Sequence, residues 1–405
     1  MPRVEFIALL AAMMALNALA IDVMLPALPY MGEALGVTNE NERQFVIGAY
    51  MLGFGFAQLV FGPLSDRFGR RAPLLVGVAI YIVCAFAASF APNFAVLLGL
   101  RALQGIGAAG TRVVANSIVR DRFAGRAMAE VMSLIFMVFM AMPIIAPGIG
   151  QILMINSSWH VIFVFMAVLA SVFGLWALFR LPETLAPANR RPLTVSAVTE
   201  GFRVVFSNRM AFSYGLAGTF MFGAIVGFVS TSQQIYVDIY GLGVWFPAAF
   251  AAVAGLMSLS SFLNSRIVRR FGMRRLSHFA ILVFTAGSAI WLALSLTGFM
   301  PFWLFFCLLS IIMFTFGWAA SNMNSLSMEP LGAVAGTASS VFGFLQTVGG
   351  ALLGSFIGQQ FDGTVVPVAA GYLAMGILAL ICILVAENGK LFGVGKEHEP
   401  LPGGH

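Results

Sequence analysis

Gly62-Pro63-Leu64-Ser65-Asp66-Arg67-Phe68-Gly69-Arg70-Arg71 is a short charged segment between two apolar runs, and it has a counterpart much later in the chain. Arg266-Ile267-Val268-Arg269-Arg270-Phe271-Gly272-Met273-Arg274-Arg275 sets Phe271-Gly272 on Phe68-Gly69 at an offset of 203. Each segment falls between the second and third apolar run of its half. Self-similarity at that distance reads as one structural unit used twice.

The composition says what the unit is made of. Of 405 residues, 60% are hydrophobic and 9% charged, where an ordinary soluble domain carries about 25% charged residues. The mean hydropathy is +0.95. A soluble enzyme with a single anchor is thereby excluded, and so is a disulfide scaffold, because Cys84, Cys307 and Cys382 sit in apolar stretches without CxxC spacing. A helix needs about 20 apolar residues to cross the hydrocarbon. Twelve such runs are present, at 6–28, 43–63, 72–91, 94–118, 127–150, 159–180, 209–235, 244–265, 274–297, 300–328, 334–358 and 365–387. Arg3, an apolar run and Ala18-Leu19-Ala20 mimic a signal peptide, but the run continues through Leu25 and Leu28 and is long enough to span. The expected fold is an all-α membrane protein of twelve transmembrane helices. Its parts are an N-terminal six-helix bundle at 1–180, a polar linker at 181–208, a C-terminal six-helix bundle at 209–388 and a tail at 389–405. Pseudo-symmetric halves of this kind hold a substrate site near the midplane and move by rocking.

Orientation follows from the cations, since Lys and Arg of short loops stay on the cytoplasmic side. With both termini inside, 19 of the 22 cations fall on the cytoplasmic side, Arg43 alone lies outside, and Arg101 and Arg112 remain within a span. The net charge of +6 is thus a topology and lipid signal, with no nucleic-acid groove.

These residues resemble a known family. The segment Gly62–Arg71 matches the loop signature of the major facilitator superfamily, and Arg101-Ala102-Leu103-Gln104-Gly105 matches its fourth-helix motif. Asp22-Val23-Met24-Leu25-Pro26-Ala27-Leu28-Pro29 and Ala335-Gly336-Thr337-Ala338-Ser339-Ser340 resemble the first and eleventh helices of the bicyclomycin/chloramphenicol-resistance branch of twelve-helix drug:proton antiporters. The resemblance implies a monomeric secondary transporter of the bacterial inner membrane, exporting hydrophobic drugs against protons. It also makes Gly62, Asp66, Arg67, Gly69, Arg70 and Arg71 a conformational latch between the halves. The antiporter motif of the fifth helix departs from the family pattern: Pro147, Gly148 and Gly150 stand in it, with Pro143 one turn earlier.

A charge at mid-bilayer costs about 2.5–3.5 kcal/mol on insertion scales, so the few buried ones need a partner or a function. Asp22 and Arg101 fall at similar depth in the first and fourth spans, where opposite charges are expected to meet and offset each other's desolvation. Asp22 is then the proton-binding group and Arg101 sets its affinity. Arg112, eleven residues on, returns to nearly the same helix face; it faces the cavity or snorkels to lipid headgroups. Glu130 opens the fifth helix and is expected to pair with Arg112 as an inner gate or to rest on the helix dipole alone. Gly62 and Gly69 are expected in tight turns, with Asp66 against a helix N-terminus.

Substrate contacts are expected from Asn17, Asp22, Tyr50 and Gln104 in the first half, and from Phe220, Phe228, Gln233, Phe314, Trp318 and Asn322 in the second. The second set suits flat, lipophilic molecules with few hydrogen bonds. No Walker A loop is present, since Lys390 and Lys396 precede Leu391 and Glu397. His160, His278, His398 and His405 are too scattered for a metal site and are expected at interfaces or in the tail. Neither cofactor nor metal is implied; the partners are a drug-like substrate, protons and lipid. Rival readings are an importer of a sugar or organic anion on the same fold, with the two arginines binding anion, and a lipid enzyme, for which no nucleophile or metal cluster is evident.

Overall fold

In hydrocarbon every backbone N–H and C=O must find its partner inside the segment, so apolar runs of this length fold as helices. A computed structural model of the chain describes residues 1–123, 125–186, 190 and 202–393, excepting the side chains of 125–127, 129, 130, 133, 136 and 332–336. The tail from 394 and most of the linker therefore lie outside the described residues. The spans are α1 (Arg3–Ala34), α2 (Glu40–Phe68), α3 (Arg71–Ala88), α4 (Phe94–Arg122), α5 (Gly125–Met154), α6 (His160–Arg180), α7 (Arg209–Ile239), α8 (Gly243–Phe271), α9 (Met273–Leu296), α10 (Phe302–Leu331), α11 (Thr337–Gln359) and α12 (Val366–Ala386). No strand occurs among the described residues.

The packing repeats as the two loop segments foretell. In the first half α1 packs on α5, α2 and α3 on α4, and α3 on α6; in the second α7 packs on α11, α8 and α9 on α10, and α9 on α12. Adding six to each partner in the first set gives the second. The halves meet along two seams, α2 against α11 and α5 against α8.

Three spans are interrupted. The continuous first run expected over 6–28 breaks: α-helix runs from Arg3 to Asp22, a 3-10 turn covers Leu25–Ala27, and helix resumes at Leu28–Ala34. Pro26 is the reason, because it lacks the N–H that would bond the Asp22 carbonyl and its ring crowds that oxygen. A π-turn ends α7 at Gln234–Ile239, and another divides α11 at Leu345–Gly349. Local insertions of this kind recur where a helix must re-aim side chains.

Candidate transport site

The break in α1 sets the site. Asp22 is the last residue of regular helix, 6% exposed, and its carboxylate has no donor or cation as partner among the described residues. Where a helix ends, its last carbonyls lack intrahelical donors. Arg101 supplies one: its Nη2 donates to the Ala20 carbonyl at 3.0 Å, its Nε to the Val46 carbonyl at 3.3 Å and its Nη1 to Gln104 Oε1 at 2.6 Å. The guanidinium also lies 4.5 Å from the centroid of the Tyr50 ring. The expected meeting of Asp22 with Arg101 is thus corrected. The arginine is fully engaged by backbone and amide oxygens, which match its fork and cost the helix end nothing, and the aspartate stands apart.

Around this pair the first half is knit by polar contacts. Tyr50 donates from its hydroxyl to Asn17 Oδ1 at 3.4 Å, and Asn17 donates through Nδ2 to Thr111 Oγ1 at 3.2 Å. Asn17, Tyr50 and Gln104 therefore come together inside the packed half, with Gln104 fully buried. The small residues explain how close the helices come. A Cβ at Gly105 would run into the backbone of Tyr50, and one at Gly53 into that of Ala102. The α2–α4 contact is backbone on backbone, the usual service of small residues in membranes.

The antiporter-motif residues lie in α5, with Pro143 and Pro147 inside the helix. Gly150 abuts the break in α1, since a Cβ there would strike the Val23 carbonyl, whereas Gly148 faces open space. One motif glycine thus seats α5 on the residue after Asp22. Arg112 is partly buried, 5.6 Å from the Phe54 ring centroid and 5.9 Å from that of Phe139. The Glu130 side chain lies outside the described residues.

The charged loop behaves differently from expectation in two respects. Gly62 is inside α2, nearest Ser340 of α11, so it serves the seam between the halves and not a turn. Gly69 does turn, at φ +92°. Asp66 pairs with Arg70 Nη1 at 2.5 Å instead of capping a helix, and Arg70 Nε reaches Asp121 at the end of α4 at 2.7 Å. Glu183, from the linker, accepts the backbone N–H of Arg70 at 2.8 Å and of Arg71 at 3.2 Å. The partners of Asp66, Arg70 and Arg71 named here belong to the first half or its linker, while Gly62 faces Ser340 of the second half. Arg67 sits over Phe68 at 5.6 Å, and Arg71 donates to the Leu178 carbonyl at 2.5 Å. Burial works against the Arg70 charge, but the hydrogen bonds and fields of Asp121 and Asp66 hold its pKa above the usual arginine value. For Glu183 partial burial opposes ionisation, and the N–H donors of Leu185, Arg70, Arg71 and Thr184 outweigh it, holding the carboxyl below its usual range.

In the second half the expected contact residues are largely engaged with neighbours in the same half. Trp318 Nε1 donates to the Ser260 carbonyl at 3.0 Å, Ser260 donates to the Phe314 carbonyl, and Asn322 Nδ2 donates to Asn264 Oδ1 at 2.8 Å. These bonds fasten α8 to α10. Phe228 stacks on Phe250 at 6.2 Å within a buried aromatic cluster, Phe220 is half-buried, and Gln233 donates to Asp238 at 3.4 Å. His278, expected at an interface, is fully buried; its Nε2 meets the Tyr214 hydroxyl at 2.9 Å and its Nδ1 accepts the Phe392 N–H at 3.0 Å.

One group escaped the sequence reading altogether. At the end of the bundle that carries the α1–α2 connection, Gln44 Nε2 donates to Gln234 Oε1 at 2.7 Å, and Gln234 Nε2 donates to Asn41 Oδ1 at 3.0 Å. Asn41 Nδ2 donates to the Phe361 carbonyl at 2.7 Å, and Gln359 Nε2 to the Asn41 carbonyl at 2.7 Å. These bonds clasp the two halves together at that end. Gln58 adds a bond to Thr347 at 3.0 Å farther along the α2–α11 seam. Isolated amides near span ends carry no pattern by which a sequence announces such a clasp.

Twelve spans in two repeating halves, meeting on two seams with buried charge beside a broken helix, define a membrane carrier. The sequence pattern of the Major Facilitator Superfamily matches residues 10–354, and the chain belongs to that family. It is a multi-pass membrane transporter. It is 29% identical to a bicyclomycin resistance protein homolog of Haemophilus influenzae over 94% of each chain. It is 28% identical to multidrug resistance protein D of Escherichia coli, over 94% of this chain and 95% of that one. Among solved structures, a D-xylose–proton symporter aligns with a TM-score of 0.71 at 14% identity, covering 94% of this chain and 97% of that one. A bacterial homolog of the lysosomal transporter Spinster, inward-facing and occupied, aligns at 0.72 and 14% identity, covering 96% of each. At these identities the structural likeness speaks to fold alone.

Proposed function

We propose that the protein exports hydrophobic, drug-like molecules from a bacterial cell in exchange for protons, working by alternating access as a monomer in the inner membrane with both termini cytoplasmic. The observation that carries the reading is Asp22: a carboxyl enclosed in a span, at a helix break, with no partner among the described residues. Left ionised there it bears the full desolvation cost, and protonated it does not. Such a group binds a proton whenever it is sealed from water and releases it when a passage opens. Rocking of the halves supplies that opening, and the seat of α5 on Val23 ties the break to the motion of the seams. Each inward proton contributes about 2.3 kcal/mol per 100 mV of membrane potential, plus any pH gradient.

Export rather than import is supported by the drug-resistance relatives, and the aromatic character of the second half fits lipophilic cargo. On the positive-inside rule the Asn41–Gln234 clasp lies on the outer side, so this conformation is shut outward. The test is reconstitution of the full chain in vesicles with an imposed proton gradient. Dye movement and proton counterflow are expected from the wild type, and loss of both coupling and accumulation from Asp22→Asn. Undiminished proton-coupled efflux by Asp22→Asn overturns the assignment.

A further inference from the structure

Arg101 and Arg112 of the fourth span are answered differently among the described residues. Arg101 is surrounded by the oxygens of Ala20, Val46 and Gln104, but Arg112 has no carboxylate and no hydrogen-bond acceptor as partner among the described residues. What it has is two aromatic faces, Phe54 of α2 at 5.6 Å and Phe139 of α5 at 5.9 Å. Those helices are the ones through which the first half meets the second, α2 against α11 and α5 against α8. A side chain of α4 flanked by both lies beside the two helices that form the seams. The rings attract the flat cation without using its N–H groups, so the edge of the guanidinium, a planar fork shaped for two oxygens of one anion, stays open.

We propose that Arg112 is an anion-binding subsite of the transport cavity, taking the carboxylate, sulfonate or phosphate of a substrate whose flat apolar body lies against Phe54 and Phe139. The proposal rests on the transport reading above and narrows its cargo to acidic or zwitterionic amphipathic molecules. An oxyanion there answers a charge that has no carboxylate partner among the described residues, and Asp22 is then free to serve the proton.

The test uses a matched pair of probes, 2-naphthoate and 2-naphthamide, titrated calorimetrically against the full chain purified in detergent near neutral pH. The wild type is expected to bind the acid about tenfold more tightly than the amide, because only the acid gains charge-assisted, two-oxygen bonds. In Arg112→Gln that ratio is expected to fall to near one, and in Arg112→Lys to an intermediate value, since a point charge remains without the fork. Size-exclusion and thermal unfolding establish that each variant is folded. If Arg112→Gln is not, the Arg112→Lys ratio decides: a several-fold drop supports the subsite and an unchanged ratio overturns it. A wild type in which the acid binds no better than the amide, including one that binds neither, also overturns it. Proton-gradient-driven vesicle transport of a carboxylate-bearing dye keeps the two readings apart. Its failure removes the proton-coupled export reading while an acid preference would still stand, and its success beside equal probe affinities removes the subsite alone.

Discussion

Arg101 donates through Nη2 to the carbonyl of Ala20 at 3.0 Å, two residues short of Asp22. The cation thereby closes the end of the α1 helix, where backbone carbonyls and the helix dipole both favour positive charge. Removing it leaves buried acceptors without donors, at about 1–3 kcal/mol for each one left unsatisfied. Arg101→Ala is therefore expected to lower the thermal unfolding temperature in detergent sharply. Arg101→Lys keeps the charge, but a single ammonium does not span Ala20, Val46 and Gln104 together. It is expected to melt between the wild type and Arg101→Ala; coincident melting of all three proteins would refute the capping role.

Two glycines of one motif offer an internal control. Gly150 lies against the Val23 carbonyl, and Gly148 has no atom close to where its Cβ would stand. Gly150→Ala is expected to force α5 off the break in α1, costing about 1–3 kcal/mol as overpacking does, and to slow transport. Gly148→Ala is expected to be neutral or to stabilise by up to about 1 kcal/mol, since alanine is the better helix former. Melting temperatures and transport rates of the two variants, measured side by side, decide this; equal effects would show that the α5–α1 seat is unimportant.

The fold was legible because lipid imposes a coarse rule: apolar runs of spanning length become helices, and a repeated charged loop marks the repeat. What the loop residues touch was not legible. Glu183 reads as one acid in a polar linker, and nothing in Leu-Pro-Glu-Thr indicates that it accepts the amides of Arg70 and Arg71 from the other side of α6. The Asp22–Arg101 expectation failed for a similar reason. Depth along two helices brings the residues level, but the Ala20 carbonyl at the break, the Val46 carbonyl and the Gln104 side chain take up the guanidinium in place of the carboxylate. His278 was misplaced because hydropathy assigns a polar ring near a span end to the interface, and only tertiary packing supplies Tyr214 and Phe392 as partners.

The Glu183 contact gives the loop a pH dependence with a definite sign. Its carboxyl is held below the usual range when docked, so the docking energy is fully present above the ordinary value of about 4.3 and is lost as the pH falls beneath it. Because the side chain is exposed, solvent screening limits the effect to about 1 kcal/mol. Hydrogen-exchange protection of the Arg70 and Arg71 amides, corrected for intrinsic rates, is expected to fall in the wild type as the pH is lowered below the ordinary carboxylate value of about 4.3. Glu183→Gln is expected to show weak protection with little pH dependence. Protection that stays constant in the wild type would detach Glu183 from the loop.

The clasp at Asn41 has the strongest leverage on conformation. Its amide bonds run from α2 to α7, to α11 or to Phe361 just beyond α11, so every one of them joins the two halves and must break if that end is to open. A typical intramolecular hydrogen bond contributes about 1 kcal/mol net, which is roughly a fivefold change in an open-to-closed ratio. Asn41→Ala removes the side-chain bonds to Gln234 and Phe361 together and is expected to shift that ratio about tenfold or more toward opening. Gln58→Ala, on the same seam but toward the middle of the span, loses one bond to Thr347 and is expected to shift it less. Spin labels placed on the half-buried Glu42 and the exposed Asp362, read by pulsed dipolar distance measurement, resolve the two populations directly. Unchanged distance distributions in Asn41→Ala would mean that apolar packing along α2 and α11 alone holds this end shut, and that the amides merely satisfy one another after it has closed.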